Sequence, residues 1–294
     1  RPKYVGAFGG DAARDLQASV PSGTKVLAPG VEGLVELAAH PDVDLVVTSL
    51  VGGVGFAPLV AAIKTGKTIA VANKEPFVMA GPALMREAER WEATVLPVDS
   101  EPSAVFQCLI GAHPPAGRLS LPKLGEQVRR VLLTASGGPF YRRKGSLREV
   151  TVKEALRHPR WKMGPKITVD SATLMNKGFE AIELQALFGL KAGQIEIVIH
   201  PQSILHSAVE LKDGSVLGQM SPPDMRLPIQ AAITYPERVR GSAPALDLFA
   251  LRRLDFDRPD FRKFPCLALA REAARVGGTM PAVLSAADEA AVEA

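Results

Sequence analysis

The chain is poor in cysteine. Cys108 and Cys266 are its only two, far apart and outside any Cys-x-x-Cys spacing, which argues against a thiolate metal site and for a reducing compartment. Both sit in apolar helical contexts and are expected in the core. No secretory or transit signal is visible, and the first residue is Arg1, not Met, as expected of an interior piece of a longer gene product. Internal repeats and low-complexity tracts are also missing. The one long uncharged stretch runs nineteen residues from Leu45 to Ile63, enough on paper to cross a bilayer. It breaks into a strand-like run, a turn at Gly52, Gly53 and Gly55, and a helix opening at Pro58, so no membrane span is expected.

What is present is a soluble, globular composition, 47% hydrophobic and 22% charged over 294 residues, enough for two or three domains. The net charge of +4 is unevenly spread. Eleven Lys or Arg and two Glu fall between Arg129 and Lys166, a segment that expects anions. Nucleic acid fits the sign, but no recognition-helix or RNA-binding motif accompanies it; a small phosphorylated ligand fits as well.

From residue 43 to 98 a strand and helix rhythm repeats: strands over 43–50, 68–73 and 93–98, helices near 57–65 and 81–91. Such alternation predicts right-handed βαβ crossovers and a parallel sheet. Each strand end carries unusual residues, Gly52-Gly53-Val54-Gly55, then Asn73-Lys74-Glu75, then Asp99-Ser100-Glu101, and three parallel strands would aim them at one crevice. Beyond, the pattern predicts a helix near 103–110, a strand over 130–134, a helix near 152–157, a strand over 166–170, an amphipathic helix over 173–188, and strands over 195–220 around Lys212-Asp213-Gly214. An irregular linker over 236–263 and terminal helices short of their own core complete the reading.

Asp99 and Glu101 close an apolar run, Val95-Leu96-Pro97-Val98, and on extended backbone they would project to one side. At about 5 Å and an effective dielectric near 20 they would repel by roughly 3 kcal/mol, a cost that a cation or a shared proton removes. Alternatively, Asp99 and Ser100 cap the helix beginning at Pro102. Gly53-x-Gly55-x-x-Pro58 approaches a dinucleotide fingerprint but lacks the third glycine and an acidic ribose partner. Ser136-Gly137-Gly138 offers an anion nest or an ordinary turn, and Ser171 and Thr173 offer hydroxyls at a helix start. Asn176, Glu180 and Glu183 share a helix face with Lys177 beside them, ordinarily a solvated one, but with apolar Phe179, Ile182, Leu184 and Leu187 around it Glu180 also reads as a third carboxylate; Gly178 there implies a bend or close backbone approach. His158, Trp161 and Met163 lie in a loop that reads as a lid or as a Trp-anchored segment. His200 and His206 read as structural groups.

Six blocks together resemble 1-deoxy-D-xylulose 5-phosphate reductoisomerases: Ala72-Asn73-Lys74-Glu75, Leu96 to Glu101, Ser136 to Phe140, His158 to Gly164, Val169 to Glu180, and Ile199 to Ser203. The resemblance implies an α/β architecture: a partial Rossmann-like parallel-sheet NADPH domain over 1–99, an α+β catalytic domain over 100–235 with a flexible loop near 157–166, a linker over 236–263, and the start of a helical domain over 264–294. It implies NADPH-dependent conversion of 1-deoxy-D-xylulose 5-phosphate to 2-C-methyl-D-erythritol 4-phosphate, in isoprenoid precursor biosynthesis, by metal-assisted rearrangement and hydride transfer. Asp99, Glu101 and Glu180 would bind Mg2+ or Mn2+, an all-oxygen set suited to either. Lys74 and Ser100 would meet the reacting carbons; Ser136, His158, Ser171, Asn176 and Lys177 would hold the phosphate and hydroxyls. Asn73, Glu75 and Gly164 would touch NADPH, and Trp161 and Met163, with His158, would close over the site. A cytoplasmic or plastid homodimer, with no nucleic-acid or membrane partner, is implied as well. The family's Gly-rich first βα unit has no counterpart here, so the resemblance also implies weak NADPH binding and low activity for this chain. The competing readings are a metal-dependent sugar-phosphate isomerase or aldolase without nicotinamide, and a non-enzymatic anion- or nucleic-acid-binding module.

Overall fold

Alternating strands and helices fill the first hundred residues of the computed structural model, which describes residues 1–112 and 117–293. Strands β1 (Tyr4–Val5) and β2 (Lys25–Val26) pair in parallel around helix α1 (Gly10–Ser19), and α2 (Val31–Ala39) follows. Strands β3 (Leu45–Thr48), β4 (Thr68–Val71) and β5 (Thr94–Pro97) form a parallel sheet in that order. Helices α3 (Phe56–Lys64) and α4 (Glu75–Arg90) make the crossovers. The expected rhythm is present, with one shift: α4 opens at Glu75, six residues ahead of expectation. Pro76 suits a first helical turn, and where the expected helix began there is instead a kink at Ala80, ahead of Pro82, inside one longer helix. Asn73 and Lys74 therefore sit where β4 hands over to a helix N-terminus.

Helix α5 (Ser100–Ala112) leaves β5 directly, and α6 (Leu121–Gly125) leads to β6 (Val128–Ala135). After the short α7 (Val152–Ala155) come α8 (Pro165–Thr173) and α9 (Met175–Phe188). The stretch 166–170, expected as a strand for its β-branched residues, is helical because Pro165 opens a turn and Gly164 caps it. Leu174, left-handed at φ 61°, separates the two helices. Strands β7 (Ile195–Ile199), β8 (Leu205–Leu211) and β9 (Val216–Met220) join β6 in a mixed sheet of order β7-β6-β8-β9. Helix α10 (Arg226–Ile233) is followed by the segment expected as irregular. That segment carries one helical turn, α11 (Leu248–Leu251), and a bridge from Asp257 to Ile199. Helices α12 (Pro265–Val276) and α13 (Met280–Glu293) end the chain.

One apolar cluster runs from Leu59, Ile63 and Ile69 through Phe77 and Leu96 to Leu133, Leu187 and Phe188, tying the three-stranded parallel sheet to the four-stranded mixed sheet across α4, α5 and α9. Each such side chain contributes about 1.5–3 kcal/mol. Cys108 lies in this core, and Cys266 is half-buried beside α9. The terminal helices, expected to lack a core of their own, borrow one: a β-carbon on Gly178 would lie 2.2 Å from the Ala270 β-carbon of α12. Glycine here permits close approach of α9 and α12, as its helical position suggested. Gly178→Ala gains about 1 kcal/mol of helix propensity but costs up to about 3 kcal/mol in overpacking. The net expectation is a lower urea midpoint; a midpoint that rises would refute the packing argument. No helix among the described residues is long and apolar enough to cross a membrane.

Candidate active site

Where the parallel sheet ends, three chain segments converge on a cavity of about 280 Å³. The β4 end supplies Lys74, the β5 end Asp99, Ser100 and Glu101, and the first turns of α9 supply Asn176, Lys177 and Glu180. Asp99 and Glu101 do not reach it on extended backbone. The strand stops at Pro97, helix α5 starts at Ser100, and the Asp99 carboxylate and carbonyl take the Ser100 and Ser103 N–H groups at 2.9 Å each. Capping and facing the cavity are thus compatible. One oxygen each of Asp99, Glu101 and Glu180 lie within 4.8 Å of one another.

Two buried ammonium groups separate these carboxylates. Lys74 Nζ lies 2.5 Å from Asp99 Oδ2 and 3.1 Å from Glu180 Oε1, and donates to Asn176 Oδ1 at 2.6 Å. Lys177 Nζ bridges Glu101 Oε1 and Glu180 Oε2, both at 2.6 Å. Burial works against the Lys74 charge, but Asp99, Glu180 and Glu183 together raise its pKa well above the usual value. Glu180, 1% exposed, has its carboxyl raised to about 7 by burial and by Glu101, against the pull of both lysines. Glu101 meets the same burial, yet Lys177 and the Ser100 hydroxyl outweigh it and hold the carboxyl at about 2. The opposite directions follow from the partners: the Glu101 and Asp99 charges add to burial at Glu180, whereas at Glu101 the Lys177 ammonium and the Ser100 hydroxyl oppose it. The face of Asn176, Glu180 and Glu183 is therefore not solvated; Asn176 Nδ2 donates to Glu180 at 2.6 Å, and Glu183 is fully buried.

The opposite wall carries Ser136, His158, Trp161, Met163 and Ser171. His158 Nδ1 accepts the Arg160 and Trp161 N–H groups at 3.1 and 2.8 Å, which leaves the ring proton on Nε2, 3.0 Å from Ser136 Oγ. Ser136 also accepts the Gly138 N–H at 3.3 Å, so its own proton is free to donate. Ser171 reaches the cavity from the last turn of α8, not from the start of α9 as expected. Trp161 is half-buried, its ring 6.4 Å from that of His206. Burial and Lys177 lower the His158 pKa to about 4. A depressed histidine adds stability that is complete above about pH 6.5 and is lost as pH falls toward about 4. Urea denaturation at about pH 5 and about pH 7 is expected to show wild type losing about 1 kcal/mol more than His158→Asn, after allowance for partial exposure; equal losses would contradict it.

Asn73, Glu75 and Gly164 lie outside this cavity's lining. Asn73 is buried with neither amide atom partnered among the described residues, and a β-carbon on Gly55 would lie 2.7 Å from its Nδ2. Two residues that sequence reasoning did not place in the site do take part. Ser203 lines the cavity with left-handed backbone, φ 53°, a strain common at functional positions; the Ile199 to Ser203 block carried it in the sequence, but without a role of its own. His206 backs Trp161 and donates to or accepts from Ser221 Oγ at 2.9 Å. His200 is structural, as read: its Nε2 takes the Ile204 and Leu205 N–H groups. Much of the basic segment is committed locally, Arg129 and Arg130 to Glu210 and Arg143 to Glu154, while Lys162 lines the cavity.

One family model described as 1-deoxy-D-xylulose 5-phosphate reductoisomerase matches residues 1–81, and two models of its C-terminal domain match 95–188 and 220–294. The Elusimicrobium minutum reductoisomerase is 57% identical over all of this chain and 73% of its own length. The chain belongs to the 1-deoxy-D-xylulose 5-phosphate reductoisomerase family. The Symbiobacterium thermophilum reductoisomerase is 52% identical, over all of this chain and 74% of its own. Among solved reductoisomerases, a complex with NADPH, fosmidomycin and magnesium superposes with a TM-score of 0.90 at 44% identity, over 99% of this chain and 72% of that one. The Zymomonas mobilis reductoisomerase with NADPH gives 0.87 at 41%, over 99% and 73%. The six sequence blocks that carried the resemblance therefore identified the reductoisomerase family correctly.

Proposed function

We propose that this chain binds 1-deoxy-D-xylulose 5-phosphate, a divalent cation and NADPH, and converts the sugar phosphate to 2-C-methyl-D-erythritol 4-phosphate. The observation that carries this reading is the convergence of three carboxylates, two lysines and a hydroxyl-lined wall on one cavity, in a member of this family. The donor set fits the metal: three oxygens within 4.8 Å and no thiolate suit Mg2+ or Mn2+. The Asn73 amide, unpartnered among the described residues, leaves polar valence at the end of β4, where such sheets place cofactors, and this fits NADPH there. When bound, the cation would polarise the substrate's oxygens and NADPH would supply the hydride.

The protein's own groups would do the rest. Asp99, Glu101 and Glu180 would hold the cation, and Lys74 and Ser100 would orient the reacting carbons. Ser136 has a proton to donate and His158 is neutral at physiological pH, so with Ser171, Asn176 and the Lys177 charge they would grip phosphate and hydroxyl oxygens. Trp161 and Met163 would close over the bound sugar and exclude water. Residues 1–99 would carry the cofactor, 100–235 the chemistry, 236–263 the link and 264–294 helical packing. A cytoplasmic homodimer without nucleic-acid or membrane partners completes the proposal. The test is oxidation of NADPH, followed in the near ultraviolet, on adding 1-deoxy-D-xylulose 5-phosphate and Mn2+ to this chain. Oxidation that needs both additions supports the reading; oxidation that proceeds without the sugar phosphate or without Mn2+ overturns it.

A further inference from the structure

The segment proposed as a lid has two feet. At its first foot, His158 takes the Arg160 and Trp161 N–H groups and meets Ser136. At its second foot, Gly164 accepts the Thr168 N–H and hydroxyl at 3.2 and 2.7 Å, opening α8. Lys166 lies two residues past Gly164, and its ammonium is tied on three sides. It reaches Asp170 Oδ2 of its own helix at 2.6 Å and Asp288 Oδ2 of α13 at 2.8 Å, and it lies 4.8 Å from the ring centre of Phe179, the neighbour of Glu180. All three charged side chains are mostly buried, at 16, 4 and 8% exposure. A buried ion cluster of this kind fixes geometry more than it stabilises. The residue after Asp288 points elsewhere: Glu289 Oε1 is buried against Gly52, 2.9 Å from where a β-carbon there would stand.

We infer that Asp288 of the C-terminal helix, acting through Lys166, is a positioning residue for the lid: it fixes the pivot about which Trp161 and Met163 close. Helix α13 thereby braces the lid's second foot, with Glu289 packed beside Gly52, and Phe179 links that brace to the helix bearing Glu180. The inference rests on the reading of residues 158–164 as a lid, and on nothing about the reaction itself.

Hydrogen exchange on the free protein tests the brace without any ligand. In Asp288→Asn the amides of Thr168 and Val169 are expected to exchange about tenfold faster, with no change in the core strands β4 and β5. Lys166→Met is expected to do the same, and the double variant to be no worse than either single one, because one link is cut in all three. Unchanged exchange at Thr168 and Val169, or exchange raised equally across β4 and β5, would overturn the inference. Trp161 fluorescence, read in a Trp91→Phe background, then reports closure on adding 1-deoxy-D-xylulose 5-phosphate with Mn2+. If the parent responds, Asp288→Asn is expected to need about tenfold more sugar phosphate for half the change; an unshifted midpoint counts against the brace. If the parent does not respond while exchange behaves as expected, the brace stands and the sugar-phosphate reading falls.

Discussion

Glu180→Gln and Asp99→Asn are each expected to lower turnover by about a thousandfold or more, chiefly by loss of the cation. The magnitude follows from a Lewis acid worth several kcal/mol to the rate-limiting step, at 1.36 kcal/mol per factor of ten. Glu180 is the more severe loss, because its two oxygens face both ammonium groups and its carboxylate lies within 4.8 Å of Asp99 and Glu101. An amide in its place keeps the shape and the Asn176 neighbour but removes a charged ligand from the centre of the set. Calorimetric titration with Mn2+ checks the cause: both variants are expected to bind it at least tenfold more weakly, a difference of about 1.4 kcal/mol or more. Unchanged Mn2+ affinity in both would sink the assignment of these carboxylates, whatever happened to the rate.

How much of the fold and the site is legible in the sequence follows from the range of the contacts. Asn176 and Glu180 are four apart on a helix, and their 2.6 Å hydrogen bond is a local consequence of that spacing. Asp99 and Glu101 flank a strand end, where parallel sheets gather ligands. The Lys177 to Glu101 contact spans 76 residues and the Lys74 to Glu180 contact 106, and no local pattern announces either. The stretch 166–170 shows the limit of propensity: Ile167, Thr168 and Val169 favour a sheet, yet Pro165 and the tertiary packing of Lys166 against Phe179 and Asp288 hold a helix. The Lys166 to Asp288 tie is equally hidden, since its partner lies in a terminal helix whose sequence suggests only packing.

Lys177→Met is expected to separate metal affinity from catalysis. Without added metal, three carboxylates share two ammonium groups in the cavity, and among the described residues Lys177 alone answers Glu101 Oε1 and Glu180 Oε2 at 2.6 Å. Removing one partner from a buried ion set costs about 3–5 kcal/mol, so the metal-free variant is expected to melt well below wild type. A divalent cation then has more to offer the variant: it no longer competes with that ammonium for the carboxylate oxygens, and it meets a site one unit more negative. The Mn2+-dependent rise in melting temperature is therefore expected to be larger in Lys177→Met than in wild type, with Mn2+ affinity raised in calorimetry at neutral pH or above. Turnover is nevertheless expected to collapse, because the charge proposed to face the substrate phosphate is gone. A variant that binds Mn2+ more weakly than wild type would show that Lys177 helps to build the metal site, and would return its place in the phosphate grip to question.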